Sequence, residues 1–206
     1  MNKVYLYICD LNKIDSLNNL PYLKKSDIDN AKRFKQESDK NEHLISAYFK
    51  NKYIKDYYID ENNKPKSEHL FFNISHSKNV VIMGISDKYD IGVDVEKVRN
   101  VESDLIDYIS SFEEKKDIQT DLNFFEIWTL KESLAKASGK GILRDIKNVK
   151  TFPFNGTKEY NNTLYSTKLI AYKDYVIAVC LKINADFDVE IINEIIDWKR
   201  YAKWKF

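Results

Sequence analysis

The sequence predicts an α+β fold made of two similar halves. In each half, segments with apolar residues at helical spacing are followed by short apolar or alternating segments typical of strands. No stretch rich in Gly, Pro or Ser separates the halves, so we expect them to pack as one compact unit.

The first half is predicted to hold a strand, two helices and three further strands. In chain order these elements are predicted over 3–9, 22–58 (two helices), 70–74, 79–86 and 90–97. The helices are expected to break near 38–41. A turn is predicted at Asn62–Pro65, because Asn tolerates left-handed backbone and Pro fixes φ.

The second half repeats the order of helices and then strands. Its elements are predicted over 102–109 and 122–138 (helices) and over 146–152, 163–172 and 175–183 (strands). Gly139 is expected to end the second helix, since Gly adopts positive φ at little cost. The tail, 189–206, is amphipathic, and its Trp198 and Trp204 are expected to dock on the body.

Composition excludes several classes of protein. The net charge of +1 argues against a non-specific nucleic-acid binder. Cys9 and Cys180 each lie in an apolar run and are expected to be small buried residues. The longest apolar run, 175–181, is far below the ~20 residues that span a bilayer. An acid at Asp10 argues against a signal peptide, so a cytoplasmic protein is expected.

The first motif with chemical potential lies in the predicted strand 91–97. Alternation along a strand places Gly92, Asp94 and Glu96 on one face, opposite an apolar face. A solvated edge strand would explain this pattern on its own. The functional alternative is a site for a hard cation such as Mg²⁺, which prefers carboxylate and phosphate oxygens; Gly92 would leave room for its approach.

The second motif lies on the predicted helix 122–138. Trp128, Glu132 and Lys136 are four residues apart and share one face. An ordinary surface pair of Glu132 and Lys136 would explain them. Alternatively, Glu132 completes a metal site and Lys136 meets a phosphate.

Two further segments are candidates for binding anions. His76 lies between Ser75 and Ser77 at the end of a predicted strand, where hydroxyl, imidazole and backbone N–H groups can form an anion pocket. A basic stretch that contains Lys32 and Arg33 is mostly explained by a solvated helix face.

Taken together, three ordered motifs resemble the Sfp-type 4′-phosphopantetheinyl transferase family. They are FNISHS (72–77), GVDVEK (92–97) and WTLKESLAK (128–136). The resemblance implies the fold of that family, in which two halves, 1–98 and 99–206, are related by a pseudo-twofold axis. Each half would carry helices and a three-stranded antiparallel sheet, with the active site in the cleft between them.

The resemblance also implies an activity and its partners. A monomer would transfer the 4′-phosphopantetheine group of coenzyme A to a serine of an acyl- or peptidyl-carrier protein, releasing 3′,5′-adenosine bisphosphate. Asp94, Glu96 and Glu132 would hold Mg²⁺ against the pyrophosphate of coenzyme A, and Lys136 would contact the same phosphates. The residues implied to contact the nucleotide are Arg33, Lys64, Ser75 and His76.

Some positions depart from the family pattern or leave alternatives open. Asn63 replaces a Gly before Lys64, and Asn30 replaces a basic residue, so one phosphate contact is expected to be missing. Glu132, directly or through a water on the metal, is the first candidate for the base that accepts the serine proton. Glu114 is the second, with Glu113 as the alternative to it. The carrier would bind near 98–115.

Two other functions are alternatives for the same residues. Another Mg²⁺-dependent phosphotransferase or nucleotide hydrolase is disfavoured, because the sequence has no P-loop. A non-catalytic protein that binds carriers is disfavoured by the presence of all three acidic residues.

Overall fold

The computed structural model describes residues 2–14, 20–61, 65–139 and 146–194. Within these ranges, the α-helices are α1 (Lys25–Ala31), α2 (Glu37–Phe49), α3 (Ser103–Ile109), α4 (Phe112–Asp117) and α5 (Asp121–Ser138). The strands are β1 (Asn2–Asp10), β2 (Tyr58–Ile59), β3 (Pro65–Lys66), β4 (Phe71–Ser77), β5 (Val80–Ser86), β6 (Ile91–Lys97), β7 (Gly156–Tyr160), β8 (Thr163–Tyr172), β9 (Tyr175–Leu181) and β10 (Phe187–Asn193).

Two four-stranded sheets dominate the described part of the chain. The first has the order β10-β1-β5-β4, with β10 parallel to β1 and the other pairs antiparallel. The second is antiparallel and has the order β6-β9-β8-β7. The α+β class is confirmed. The prediction of three antiparallel strands per sheet is wrong, because β10 joins the first sheet and β6, which was predicted in the first half, joins the second.

The strand orders explain part of the similarity between the halves. In each sheet a strand that precedes the helices (β1 or β6) pairs with the second strand of the hairpin that follows them (β5 or β9). The pseudo-twofold axis itself stays a prediction. So does a boundary between 1–98 and 99–206, although β10 crosses back into the first sheet.

Two sequence predictions about element positions are wrong. The predicted strand 146–152 is a 3₁₀ turn followed by loop, and the strand in this region is β7. Ile146, in the turn, and Val149, in the loop, are both buried, and this gives the sequence an apolar pattern like that of a strand. The helix break lies at 32–36 and not at 38–41, because α2 begins at Glu37 with acidic residues in its first turn, which favour a helix N-terminus.

Three apolar layers hold the elements together. The first lies between sheet one and helices α1 and α2, and the second joins the inner faces of the two sheets. The third packs α5 against the second sheet. Ile91, Val93 and Val95 of β6 belong to the layer between the sheets, so the opposite face of β6 is turned towards α5.

Several smaller predictions can be placed in this architecture. Cys9 and Cys180 are buried as predicted, and burial raises the pKa of the Cys9 thiol to about 12. No helix in the described ranges is long and apolar enough to cross a bilayer. Residues 189–193 of the tail lie in β10, while Trp198 and Trp204 fall outside the described residues.

Gly92 allows α5 to lie directly against β6. A Cβ atom at this position would stand 2.0 Å from the Ser133 carbonyl oxygen and 2.4 Å from the Ala137 amide nitrogen. Both atoms belong to the backbone of α5 and cannot turn aside. The space that the sequence suggested for a ligand at Gly92 is therefore filled by the helix.

We predict that Gly92→Ala lowers the free energy of unfolding by about 3 kcal/mol or more, because α5 must move away from β6. The matched control is Gly139→Ala, where φ is +72° and, among the described residues apart from its chain neighbours, no heavy atom lies within 4 Å of the added Cβ. Its cost should be only about 1–2 kcal/mol of backbone strain. Urea unfolding measures both, and equal losses would contradict the close contact.

Candidate active site

The two sheets meet edge to edge along β4 and β6, and side chains bridge these edges. The Asn73 side-chain oxygen accepts a hydrogen bond from the Val93 amide at 2.9 Å. The Ser77 hydroxyl accepts one from the Lys97 amide at 3.2 Å. We call this line of contacts, between Asn73, Ser75 and Ser77 on β4 and 93–97 on β6, the seam. It fixes where β6 lies relative to β4.

The seam also holds the two carboxylates of β6. Ser75 donates its hydroxyl to Asp94 Oδ1 at 2.8 Å, and Ser77 donates to Glu96 Oε2 at 2.9 Å. Ser75 was expected to contact a nucleotide; here its hydroxyl is buried and already bonded to a carboxylate. The spacing of two residues on both strands is what lets each serine reach one acid.

Helix α5 brings the second set of predicted residues to the seam. Thr120 caps its start by accepting from the Asn123 amide, and Gly139 ends it in a left-handed conformation, as predicted. Trp128 Nε1 donates to Glu96 Oε1 at 3.3 Å, and Lys136 Nζ donates to Asp94 Oδ1 at 2.6 Å. The predicted face of α5 therefore does lie on β6.

Asp94 is the most buried acid of this cluster. Burial raises the pKa of the Asp94 carboxyl, the ammonium of Lys136 and the Ser75 hydroxyl oppose that shift, and the charge of Glu96 adds to it. Its Oδ1 has two donors, whereas Oδ2 is buried and has no hydrogen-bond partner in the described residues. An unpartnered buried oxygen is costly, so this atom is poised to take a ligand.

Glu132 presents a second unpartnered oxygen. Its Oε1 is buried without a hydrogen bond in the described part of the chain. Burial raises the pKa of Glu132, and the charges of Asp94 and Glu96 raise it further, against the opposing effect of Lys136. Three acids thus lie near enough to influence one another, with one lysine among them.

The acids are close without forming a finished metal cage. Over the described ranges, no group of three or more His, Cys, Asp and Glu side chains is gathered tightly enough to hold an ion. Both oxygens of Glu96 are already bonded, to Trp128, Ser77 and Arg99. The arrangement can bind a cation through Asp94 Oδ2 and Glu132 Oε1 first, and can offer Lys136 to an anion.

A groove of about 700 Å³ opens beside the seam. Residues from α2, from the β4–β5 turn and from the end of β6 line it, including Glu42, His76, Lys78, Glu96 and Arg99. His76 lies here as a half-exposed side chain, which suits the predicted contact with a ligand. Its Nδ1 is 2.9 Å from Glu42 Oε2, an acid that the sequence did not suggest because 34 residues separate the two (76 − 42 = 34).

Of the predicted nucleotide contacts, one lies away from the groove and another lies outside the described residues. Arg33 is an exposed residue in the turn after α1 and does not line the groove. Lys64 lies outside the described residues. Arg99, which the sequence did not single out, donates to Glu96 Oε2 at 3.0 Å and stacks over the Phe125 ring at 4.8 Å.

Glu114 lies in a buried ion pair and not in the acidic cluster. Its Oε2 accepts from Lys131 Nζ at 2.7 Å, and its Oε1 accepts from Thr151 at 2.6 Å. It also caps α4 by accepting from the Ser111 amide. Burial lowers the pKa of Lys131, and Glu114 counters that shift. Glu113 lies on the exposed side of α4.

We expect Glu114→Gln to cost about 3–5 kcal/mol of stability, because it leaves the ammonium of Lys131 buried without a counter-charge. The double variant Glu114→Gln/Lys131→Met removes both charges and should recover most of that loss. Urea unfolding of the two variants measures the difference. A double variant as unstable as the single one would argue against a buried charge pair.

Glu132→Gln should increase the stability of the metal-free protein at pH 7. The pKa of Glu132 is raised above its usual 4.5, so the folded state holds a proton that the unfolded chain releases. Stability therefore falls as the pH rises from about 4.5 through the raised value, and the variant lacks this loss.

The matched control for this experiment is Glu126→Gln, on the same helix but bonded to Asn123 and outside the cluster. Unfolding in EDTA at pH 5 and pH 7 is the measurement. Added Mg²⁺ should stabilise the wild type more than Glu132→Gln, since a ligand of the folded state shifts unfolding by mass action. The explanation fails if Glu132→Gln and Glu126→Gln depend on pH in the same way as the wild type.

Comparisons with known proteins agree with this geometry. Residues 90–180 match the family model of the 4′-phosphopantetheinyl transferase superfamily. This segment contains β6 and α5, and with them Asp94, Glu96, Glu132 and Lys136.

Three relatives are similar to parts of the chain. It is 29% identical over 125 residues to 4′-phosphopantetheinyl transferase gsp of Aneurinibacillus migulanus, which covers 54% of this chain and 51% of the relative. It is 37% identical over 78 residues to 4′-phosphopantetheinyl transferase Sfp of Bacillus subtilis, covering 34% of each. It is 34% identical over 84 residues to 4′-phosphopantetheinyl transferase HetI of Nostoc sp., covering 36% of this chain and 35% of the relative.

The chain therefore spans about half or less of the length of these relatives. The matched segment is nevertheless the one that carries the acidic cluster and its lysine. Through residues 90–180, the chain is therefore similar to the 4′-phosphopantetheinyl transferase superfamily.

Proposed function

We propose that this protein transfers the 4′-phosphopantetheine group of coenzyme A to a serine of an acyl- or peptidyl-carrier protein. The observation that carries the proposal is the cluster at the seam, where Asp94, Glu96 and Glu132 lie near one another with Lys136 bonded to Asp94, and where Glu96 also lines an open groove. Transfer of a group from a diphosphate ester needs both acids and a lysine, because the acids can hold a cation and the lysine can hold the phosphate oxygens.

Two side chains at the seam offer oxygens that suit Mg²⁺. Asp94 Oδ2 and Glu132 Oε1 are buried and have no hydrogen-bond partner among the residues that the structure describes, and carboxylate oxygens are ligands that Mg²⁺ prefers. Glu96 is the third proposed ligand, held in place by Trp128 and Ser77. When bound there, the ion would neutralise charge on the phosphate oxygens of coenzyme A.

The remaining work falls to side chains of the protein. Lys136, now 2.6 Å from Asp94, is the group that would contact the diphosphate and balance its charge. Glu132 is the proposed base, because α5 places its carboxyl in the cluster, near Asp94 and Lys136. The serine oxygen forms a bond to the β-phosphorus, the serine proton passes to Glu132, and the bond to 3′,5′-adenosine bisphosphate breaks.

The second candidate for the base, Glu114, is engaged in other contacts. Both of its oxygens are committed to hydrogen bonds with Lys131 and Thr151, which supports a role in stability. The double variant Glu114→Gln/Lys131→Met separates the two roles, because it restores charge balance without restoring a carboxylate. Turnover retained in that variant assigns the base to Glu132.

The groove beside the seam is the proposed site for the nucleotide of coenzyme A. His76 lines it and can meet a phosphate, while Ser75 acts through Asp94 and Lys136. We further propose that Arg33 and Lys64 contact the nucleotide and that the carrier protein binds near 98–115. The protein is proposed to act as a monomer in the cytoplasm.

Asp94→Asn and Glu132→Gln are each expected to lower turnover by about 10²-fold or more, because charge stabilisation at the diphosphate is worth several kcal/mol. The assay incubates the protein with coenzyme A, Mg²⁺ and an apo carrier protein and weighs the carrier by mass spectrometry. Glu126→Gln, on the same helix but outside the cluster, should keep turnover within about threefold of the wild type.

Circular dichroism would confirm that all three variants are folded. Near-normal turnover in both Asp94→Asn and Glu132→Gln at limiting Mg²⁺ would contradict the proposed site. Phosphate release from ATP without any mass increase of the carrier would favour a different phosphotransferase.

A further inference from the structure

The groove proposed for the nucleotide carries almost no net charge. Arg99 is paired with Glu96, and Lys97 Nζ lies 3.0 Å from an oxygen of Asp174. Of the groups that line the groove, Lys78 and Asp39 oppose each other in sign, and in the described residues neither has an ion pair within 4.0 Å. A phosphate dianion entering this groove therefore meets little excess positive charge.

His76 is committed to an acid at the same place. Its Nδ1 lies 2.9 Å from Glu42 Oε2, and the side chain of Glu42 is only 14% exposed. Burial raises the pKa of Glu42, and nearby Asp39 adds to the shift, while His76 and Lys78 oppose it. An anion that approaches His76 must also approach this partly buried carboxylate.

We propose that Glu42 is a specificity-determining residue, which weakens binding of a phosphate at His76 and lets the groove accept a nucleotide without a 3′-phosphate. The inference rests on the proposed function, because it assumes that this groove takes the nucleotide part of coenzyme A. Its consequence is that 3′-dephospho-coenzyme A serves as a donor about as readily as coenzyme A. In both cases the bond that breaks is the same diphosphate bond.

The test is calorimetric binding of coenzyme A and 3′-dephospho-coenzyme A, at fixed Mg²⁺ and without a carrier. The wild type should bind the two within about threefold of each other. Glu42→Gln keeps the shape and the hydrogen bond to His76 but removes the charge. It should bind coenzyme A about tenfold more tightly than the wild type does, because one repulsive charge is lost close to the phosphate. Its affinity for 3′-dephospho-coenzyme A should change by less than about twofold.

The matched control is Asp39→Asn, which removes one negative charge from the same groove without touching the partner of His76. It should shift the ratio of the two affinities by less than about threefold, because its effect on the phosphate is screened by solvent. Melting temperatures of both variants show whether the fold is kept.

The outcomes separate the two levels of the argument. If coenzyme A binds and its preference over 3′-dephospho-coenzyme A is the same in the wild type and Glu42→Gln, the inference is overturned and the proposed function stands. If neither compound binds to the wild type, the proposed nucleotide site is wrong and the inference falls with it. A gain confined to coenzyme A in Glu42→Gln supports both.

Discussion

The contact of Lys136 with Asp94 and Ser75 is the interaction on which the candidate site depends. It joins three elements, since Ser75 lies on β4, Asp94 on β6 and Lys136 on α5. A buried carboxylate needs such partners, because its desolvation would otherwise exceed what the fold tolerates. Together with the contacts of Asn73 and Ser77, this interaction keeps β4 and β6 in one relative position, although these two strands belong to different sheets in the described residues. Gly92 is part of the same constraint, because only a residue without Cβ allows α5 to come close enough to place Lys136 there.

These contacts supply hydrogen-bond donors to only some of the carboxylate oxygens in the acidic cluster. Asp94 Oδ1 has two donors, yet Asp94 Oδ2 and Glu132 Oε1 have none among the described residues. Burial raises the pKa of both carboxyls, and the charge of Glu96 adds to the shift at each, so the acidic cluster on its own is a source of instability. Strain of this kind is common where a protein holds groups ready for a ligand. A cation would relieve the repulsion and would release Lys136 from Asp94 for an anionic partner, so one binding event prepares the next.

The sequence predicted the elements of the site better than their surroundings. Strict alternation over 91–97 and a four-residue repeat in Trp128, Glu132 and Lys136 each fix a face, and both faces were found where expected. Residues 146–152 were mistaken for a strand, because apolar residues that are buried in a turn and loop give the same pattern as a strand. The contacts of Glu42 with His76 and of Glu114 with Lys131 had no local signal. Such pairs depend on how elements distant in sequence pack together, and residue spacing along the chain does not predict this packing.

Helix α5 shows how neighbouring residues divide stability and chemistry between them. Lys131 points into the second half, where it is fully buried and donates to both Glu114 and the carbonyl of Ile109. Glu132, the next residue, turns about 100° around the helix and faces the seam. The pair of Lys131 with Glu114 thus anchors the helix from behind, and the position of Glu132 and Lys136 follows from it. The proposed base, Glu132, lies on a helix fixed by a buried ion pair and needs no flexible loop to reach its partner. This supports the proposal of Glu132 over Glu114 as the group that accepts the proton.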